Sequence, residues 1–176
     1  LRAMEANLPI PPEHHNFARG FASPISVADQ VQGGGDNVPG VQTIAFNLPN
    51  DERVREARGA KKVILANVLG AKFDLILDPI ALVVLAPDQA ALVSRRQMEL
   101  QTLFHELSHS LGPGSLVLAG RATTVDAELR ELHPALEESK ADVMGMWNLL
   151  YMMQIGELPL AQKDELFATY LAGLFR

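Results

Sequence analysis

The sequence predicts a mainly α-helical protein with a small β element near the N-terminal third. Two long segments, 95–111 and 134–153, repeat apolar residues at steps of three and four, which is the spacing of one helix face. Residues 41–46 instead alternate and are prone to form strands, so they predict a short strand. Since the helical segments are much longer than the strand, helices dominate the predicted fold.

The first 40 residues are predicted to be a loop-rich N-terminal segment, and 41–176 the mostly helical remainder. Five prolines and a run of three glycines predict turns and extended chain in the first segment. These residues are Pro9, Pro11, Pro12, Pro24, Pro39 and Gly33–Gly35. We interpret the glycine run as a flexible turn, because a phosphate-binding loop would be followed by Gly-Lys-Ser/Thr.

The middle of the chain reads as a series of helices. Helical spacing is expected over 55–77, and Asp78-Pro79 is expected to interrupt it before a further apolar stretch at 80–85. A proline at the first position of a helix is tolerated, so Pro87 is predicted to begin a short helix that reaches residue 92.

Glycines punctuate the second half of the chain. Three glycines place 112–124 in a loop, and Thr124 at its end can cap the next helix. A turn at 156–160 contains a glycine and a proline, and a final helix is predicted at 161–174.

The helix at 95–111 contains the motif HExxH, as HELSH at 105–109. His105 and His109 would lie one turn apart on one helix face, so both imidazoles can reach one metal ion. Glu106 stands where a carboxylate can take a proton from metal-bound water. About one chain in a few hundred carries this motif by chance. Here the helix is packed and stops at Gly-Pro-Gly, which favours a metal site.

A hydrolytic zinc site uses three protein ligands and leaves one position for water. The chain has no cysteine, so the third ligand must be His, Asp or Glu. The helix at 134–153 offers Glu138 and Asp142 one turn apart, although a solvated acidic face beside Lys140 would give the same pattern. The residues therefore predict a metallohydrolase and leave its third ligand open.

Three ordered motifs resemble those of the dipeptidyl peptidase III family of zinc peptidases, particularly its bacterial relatives with a shortened zinc motif. They are HELSHSLGPG at 105–114, EESKAD at 137–142 and NLPN at 47–50. The similarity runs from about residue 17 to residue 176. Two features depart from the family pattern: dipeptidyl peptidase III itself has the longer HExxGH, and Ser110 stands where glycine is usual.

The resemblance implies a catalytic zinc centre. By motif, His105, His109 and Glu138 would bind one Zn²⁺ per chain, and Glu106 would be the general base that activates the zinc-bound water. Residues 41–176 would then form the zinc-binding catalytic core.

The resemblance also implies supporting roles. Glu137 and Asp142 would orient the ligating histidines, because a ligating His commonly donates its other N–H to a carboxylate. Asn47 and Asn50 would hold the amino end of a short peptide substrate.

The family comprises two-lobed enzymes of several hundred residues, so the resemblance implies further segments of a larger enzyme as partners. Its transition-state His, C-terminal Arg and upstream Glu/Tyr residues have no matching motif here. One alternative is therefore a catalytically incomplete zinc-binding helical module or fragment with a structural metal. Another is a helical interaction domain without metal, which requires all three motifs to coincide by chance.

Composition narrows the remaining classes. At 48% hydrophobic and 20% charged residues, the chain can bury a core. A net charge of −6 disfavours nucleic-acid partners. No stretch reaches the roughly 20 apolar residues of a membrane span, so no membrane partner is expected. The absence of cysteine is compatible with a reducing compartment, and we expect a cytoplasmic location.

Overall fold

The computed structural model describes residues 1–17, 25–34, 42–48, 54 and 61–176. Helices dominate this part of the chain, as predicted, and its strands are short. In chain order the elements are α1 (Arg2–Ala6), β1 (Ile25–Ala28), β2 (Ala45–Leu48), β3 (Lys61–Leu65), α2 (Ala66–Lys72), α3 (Asp78–Val84), α4 (Pro87–Ala90), α5 (Arg95–Ser108), β4 (Ser115–Leu118), β5 (Arg121–Thr124), α6 (Val125–Leu129), α7 (His133–Gln154) and α8 (Lys163–Gly173).

The long helices are confirmed. Those predicted at 95–111, 134–153 and 161–174 correspond to α5, α7 and α8, whose ends differ from the prediction by no more than three residues. The segment predicted to be loop-rich contains α1, a 3₁₀ turn at Pro12–His14 and β1. Its boundary at residue 40 stays a prediction.

Strand β3 is the centre of a three-stranded sheet, paired in parallel with β1 and antiparallel with β2. The prediction of a helix throughout 55–77 was therefore wrong over 61–65. Lys62 and Ile64 are buried while Lys61 is exposed, which is the alternation of a strand. The pairing strands β1 and β2, which are distant in sequence, determined the conformation of this segment, since they supply its backbone hydrogen bonds. The strand predicted at 41–46 is present, but it lies at 45–48.

The chain continues helically through the point where an interruption was predicted. A π-helical turn, Phe73–Leu77, joins α2 to α3, and Pro79 lies in the first turn of α3. Proline is tolerated there, because its missing N–H falls where the π turn changes into the α-helical hydrogen-bond pattern. The prediction that Asp78-Pro79 interrupts the helix was therefore wrong.

The segment predicted as a loop at 112–124 contains a β-hairpin formed by β4 and β5. Ala119 and Gly120 form its turn with φ values of 49° and 79°. Two successive positive φ values are typical of a type I′ turn, whose twist suits a two-residue hairpin. Alanine is unusual in such a turn, so the sequence signal was weak. Thr124 then caps α6 by accepting a hydrogen bond from the Ala127 N–H, as predicted.

Two apolar clusters form the core of the described part of the chain, and α5 contributes to both. The first joins α1, α5, α7 and α8 through Met4, Leu8, Leu100, Phe104, Leu107, Leu111, Met146, Leu149, Met153 and Leu166. The second joins β3, the π turn and α8 through Ile64, Leu69, Leu77, Ala81, Met98 and Ala172. The HExxH helix is thus held on several sides.

No helix in the described part of the chain is both long and apolar enough to cross a membrane. The cytoplasmic location stays a prediction.

Candidate metal centre

A glycine on α7 lets it approach α5 closely at the level of the histidines. A Cβ added to Gly145 would lie 3.1 Å from the backbone nitrogen of His105 and 3.3 Å from the carbonyl carbon of Phe104. Any other residue would press on backbone atoms there. No motif in the sequence pointed to Gly145, although a glycine inside a strong helical pattern often marks close packing.

The close approach brings three potential ligands together. The Nε2 atoms of His105 and His109 lie 3.1 Å apart. Glu138 oxygens lie 3.2 Å from the first of these nitrogens and 3.7 Å from the second. A tetrahedral ion with bonds of about 2.0–2.1 Å separates its ligand nitrogens by about 3.3 Å. The three groups, with ligand atoms all within 4.8 Å of one another, therefore form a possible metal site.

Two further carboxylates accept hydrogen bonds from the imidazole nitrogens (Nδ1) that point away from the centre of the site. Nδ1 of His105 lies 2.8 Å from Asp142 Oδ1, and Nδ1 of His109 lies 3.0 Å from Glu137 Oε1. An ionised carboxylate only accepts hydrogen bonds, so each Nδ1 carries the proton. Each Nε2 then keeps its lone pair and faces the centre of the site. Which carboxylate serves which histidine became visible only in the structure.

The outer carboxylates are held in their ionised form. Burial raises the pKa of Glu137, but the hydrogen bond from His109 and the nearby Lys140 ammonium lower it to about 2. The hydrogen bond from His105 lowers the pKa of Asp142 despite partial burial. Both groups thus remain hydrogen-bond acceptors for the imidazoles near neutral pH.

The inner groups show the opposite shifts. Burial lowers the pKa of His105, but the hydrogen bond to Asp142 and the charges of Asp142, Glu138 and Glu106 outweigh it, and the net shift is upward. Burial raises the pKa of Glu106, although the two histidines oppose that shift. The cluster of carboxylates therefore favours a positive charge at its centre, which a bound cation would provide.

A cavity of about 360 Å³ opens beside the site. His105, Glu106, Glu138 and Asp142 line it on the side of the three potential ligands. The rest of its lining combines apolar and polar side chains, and it comprises Ile44, Leu77, Met98, Gln101, Thr102, Met146, Tyr170, Gly173, Leu174 and Arg176. Its volume lies in the range of small-molecule sites. The buried carboxylate of Glu106 is thus in reach of a molecule in this cavity.

The two asparagines assigned to substrate binding are less completely described. Asn47 lies in β2, where it is the partner of Lys62 in β3, and β2 also contacts α5. Asn50 lies outside the described residues. A role in substrate binding stays a prediction for both.

Comparison with known proteins gives matches over the whole chain. No family model matches it. Nudix hydrolase 3 from Arabidopsis thaliana is 39% identical over 177 residues, which is 100% of this chain and 23% of that protein. Two solved structures each match 99% of this chain and span about three times its length. They are DPP III from Caldithrix abyssi (52% identity, TM-score 0.90) and dipeptidyl-peptidase III from Corallococcus sp. strain EGB (41% identity, TM-score 0.94).

The chain covers 33% of each of these solved chains. Both solved structures combine high sequence identity with close superposition, so their likeness to this chain extends to the sequence as well as to the fold. Because the match extends over 99% of this chain, it includes both helices of the site.

Proposed function

From the match of this chain to a core segment of dipeptidyl-peptidase III, we propose that it is the zinc-binding part of a peptidase that hydrolyses short peptides. One observation carries the proposal: His105, His109 and Glu138 converge, and each imidazole donates its Nδ1 proton to its own carboxylate. A solvated acidic face would not require this paired arrangement of ring nitrogens.

Zn²⁺ suits the donor set, which consists of two imidazoles and one carboxylate without thiolates. We propose that His105, His109 and Glu138 hold one Zn²⁺ per chain. When bound, zinc supplies an acidified water and polarises the scissile carbonyl. Glu137 and Asp142 keep the two imidazole rings oriented through the Nδ1 hydrogen bonds.

Glu106 is proposed as the general base. Burial raises the pKa of its carboxyl, which makes the ionised form a stronger base than an exposed glutamate. It takes the proton of the attacking water and returns it to the leaving amine. The cavity beside the site receives the peptide, and Asn47 and Asn50 bind the amino end of the peptide.

Further segments of a larger, two-lobed enzyme are proposed to supply the remaining substrate contacts, since the chain spans a third of the solved peptidases. The match to Nudix hydrolase 3 does not support a Nudix hydrolase activity for this chain. The match covers 23% of that protein, and the same residues match two structures of a peptidase.

A structural metal is the second candidate function. Its ligands would come from both α5 and α7, so the ion would clamp the two helices together. Exposure of Glu138 argues for the catalytic alternative, because 67% of its side chain is accessible and the cavity reaches the site. A structural site is typically closed, whereas a catalytic site keeps an open position.

Metal content tests the site directly. We expect about one zinc per wild-type chain by elemental mass spectrometry, and loss of that zinc in Glu138→Ala. Glu131→Ala is the matched control, because it removes a nearby carboxylate outside the site and should leave the metal in place. A wild-type chain that takes up no zinc during incubation would refute the proposal.

Glu106→Gln tests the chemistry separately from metal binding. It should retain zinc and lose release of small peptides, while Glu99→Gln on the exposed face of the same helix should change neither. Peptide release by Glu106→Gln at the wild-type rate would refute the general-base role. A zinc-loaded wild-type chain that melts far lower after chelation, and that cleaves no peptide even when joined to the remaining segments of the larger enzyme, would establish the structural alternative.

A further inference from the structure

A fully buried carboxylate lies outside the group of proposed ligands and their partners. Glu5 in α1 is 0% exposed. Its Oε1 accepts a hydrogen bond from the Asn16 N–H at 2.7 Å, and its Oε2 accepts one from the Gly112 N–H at 2.9 Å. A buried charge is costly unless it is hydrogen-bonded, and here both oxygens of the carboxylate accept hydrogen bonds.

The partner of Glu5 belongs to the segment that ends the HExxH helix. Gly112 follows α5 closely and has a φ of +77°, a conformation that favours glycine. The carbonyl oxygen of Leu111 accepts a hydrogen bond from Lys140 Nζ at 3.1 Å. This oxygen and the Gly112 N–H belong to the same peptide group. That peptide group is therefore held at its N–H by a carboxylate and at its oxygen by an ammonium.

Lys140 connects this peptide group to the metal site. Its Nζ lies 2.8 Å from Glu137 Oε1. The same oxygen lies 3.0 Å from His109 Nδ1. A continuous series of polar contacts thus runs from Glu5 through the 111–112 peptide, Lys140 and Glu137 to His109. Hydrogen bonds in such a series polarise and orient one another.

We propose that Glu5 is a positioning residue of the metal centre. By fixing the 111–112 peptide, it holds Lys140 and Glu137 in the arrangement that orients the His109 ring. This inference rests on the proposed function, since it concerns the same site. Met4 and Leu8 bury α1 in the first apolar cluster, and this packing places the Glu5 carboxylate beside the 111–112 peptide.

Lys140→Met gives the decisive test, because two explanations predict opposite signs. Loss of a cation near the site should by charge alone tighten zinc binding. Loss of the connection to Glu137 should instead weaken zinc binding, by about tenfold, as partners of metal ligands typically do. The measurement is the zinc Kd of the 176-residue chain, obtained by competition with a chromophoric chelator.

Glu5→Gln tests the other end of the series. It keeps the size of the side chain and removes the charge, so we expect about tenfold weaker zinc binding and an altered visible spectrum of the Co²⁺-loaded chain. Met4→Ala is the matched control on the same helix. It should lower the melting temperature through lost packing and leave the zinc Kd and the Co²⁺ spectrum unchanged. Should Glu5→Gln fail to fold, the sign of the Lys140→Met effect decides.

A double variant tests the connection between the two ends. Glu5 and Lys140 act on the same peptide group. The double variant Glu5→Gln/Lys140→Met should therefore raise the zinc Kd by less than the product of the two single-variant increases. Unchanged or tighter zinc binding in Lys140→Met would overturn this inference and leave the proposed function intact. A wild-type chain that binds no zinc would overturn both.

Discussion

The first half of α7, residues 133–144, carries carboxylates to the proposed metal site, whereas its second half, residues 145–154, buries apolar side chains in the core. Glu138 has a side chain that is 67% exposed, and Leu149 is 0% exposed. The apolar half supplies packing that fixes the helix against α5. That anchoring allows the first half to hold like charges close together, and a bound cation would offset their repulsion. Gly145 lies at the junction of the two halves.

The largest loss of stability is expected in the apolar half. Leu149→Ala should lower the free energy of unfolding by about 2–5 kcal/mol, because it leaves a cavity in the first cluster. Val143→Ala, an exposed position in the carboxylate half, should change it by no more than about 0.5 kcal/mol. Urea denaturation of the two variants measures both. Equal losses would mean that the two halves do not differ in their contribution to stability.

A change at the junction should affect both halves. The Cβ of Gly145→Ala would press on the α5 backbone and should cost about 1–3 kcal/mol of stability. It should also weaken zinc binding, since the helix separation at His105 would grow. Gly173→Ala in α8 is the control, because its Cβ meets nothing within 4 Å, and it should stabilise the chain by about 0.5–1 kcal/mol. Thermal unfolding with and without zinc measures the two effects. A change in melting temperature of the same sign in Gly145→Ala and Gly173→Ala would contradict the role of Gly145.

A change confined to the carboxylate half should alter metal binding more than folding. Asp142→Asn removes the carboxylate that accepts the His105 Nδ1 proton, so zinc should bind about 10–100-fold more weakly. The unfolding of the metal-free chain should change little, because the side chain is 56% exposed. Ser139→Ala on the same helix should leave zinc affinity unchanged, since its hydroxyl donates to the Ala135 carbonyl. Calorimetric titration with zinc distinguishes the two variants, and equal affinities would contradict the orienting role.

The smallest effect is expected for an exposed carboxylate away from α7. Hydrogen bonds from Thr123 and Arg121 lower the pKa of Glu128 in the folded chain below its usual 4.5. Its contribution to stability is therefore present above pH 4.5 and is lost as the pH falls through the lowered pKa. Urea titrations at pH 7 and pH 3 should show a slightly smaller acid-induced loss in Glu128→Gln than in the wild type. A larger acid-induced loss in the variant would contradict this sign.

Much of the site could be predicted from the sequence because its decisive spacing is local. His105 and His109 lie on one face of any regular helix, and the same holds for Glu138 and Asp142. The separation of α5 from α7, however, depends on the absence of a side chain at Gly145. The pairing of each histidine with its carboxylate depends on how the two helices face each other, and no local pattern specifies that.

Parts of the fold escaped prediction for the same reason. Residues 61–65 were expected to be helical, but two strands distant in sequence made them the centre of a sheet. The hairpin at 115–124 depends on a turn that begins with Ala119, a residue with little preference for a positive φ. In both cases hydrogen bonding between separate segments outweighed local preference.

The sequence by itself determined the helical class, the two helices of the site and the residue types that can bind zinc, because each follows from periodicity within one segment. Only the tertiary structure decided which groups face one another. The Nε2 atoms of the two histidines face each other, each histidine Nδ1 faces its own carboxylate, and Glu5 faces the segment that follows α5. The last of these contacts joins residues 107 positions apart. These contacts arise from the packing of apolar faces, which places polar groups side by side without any local signal.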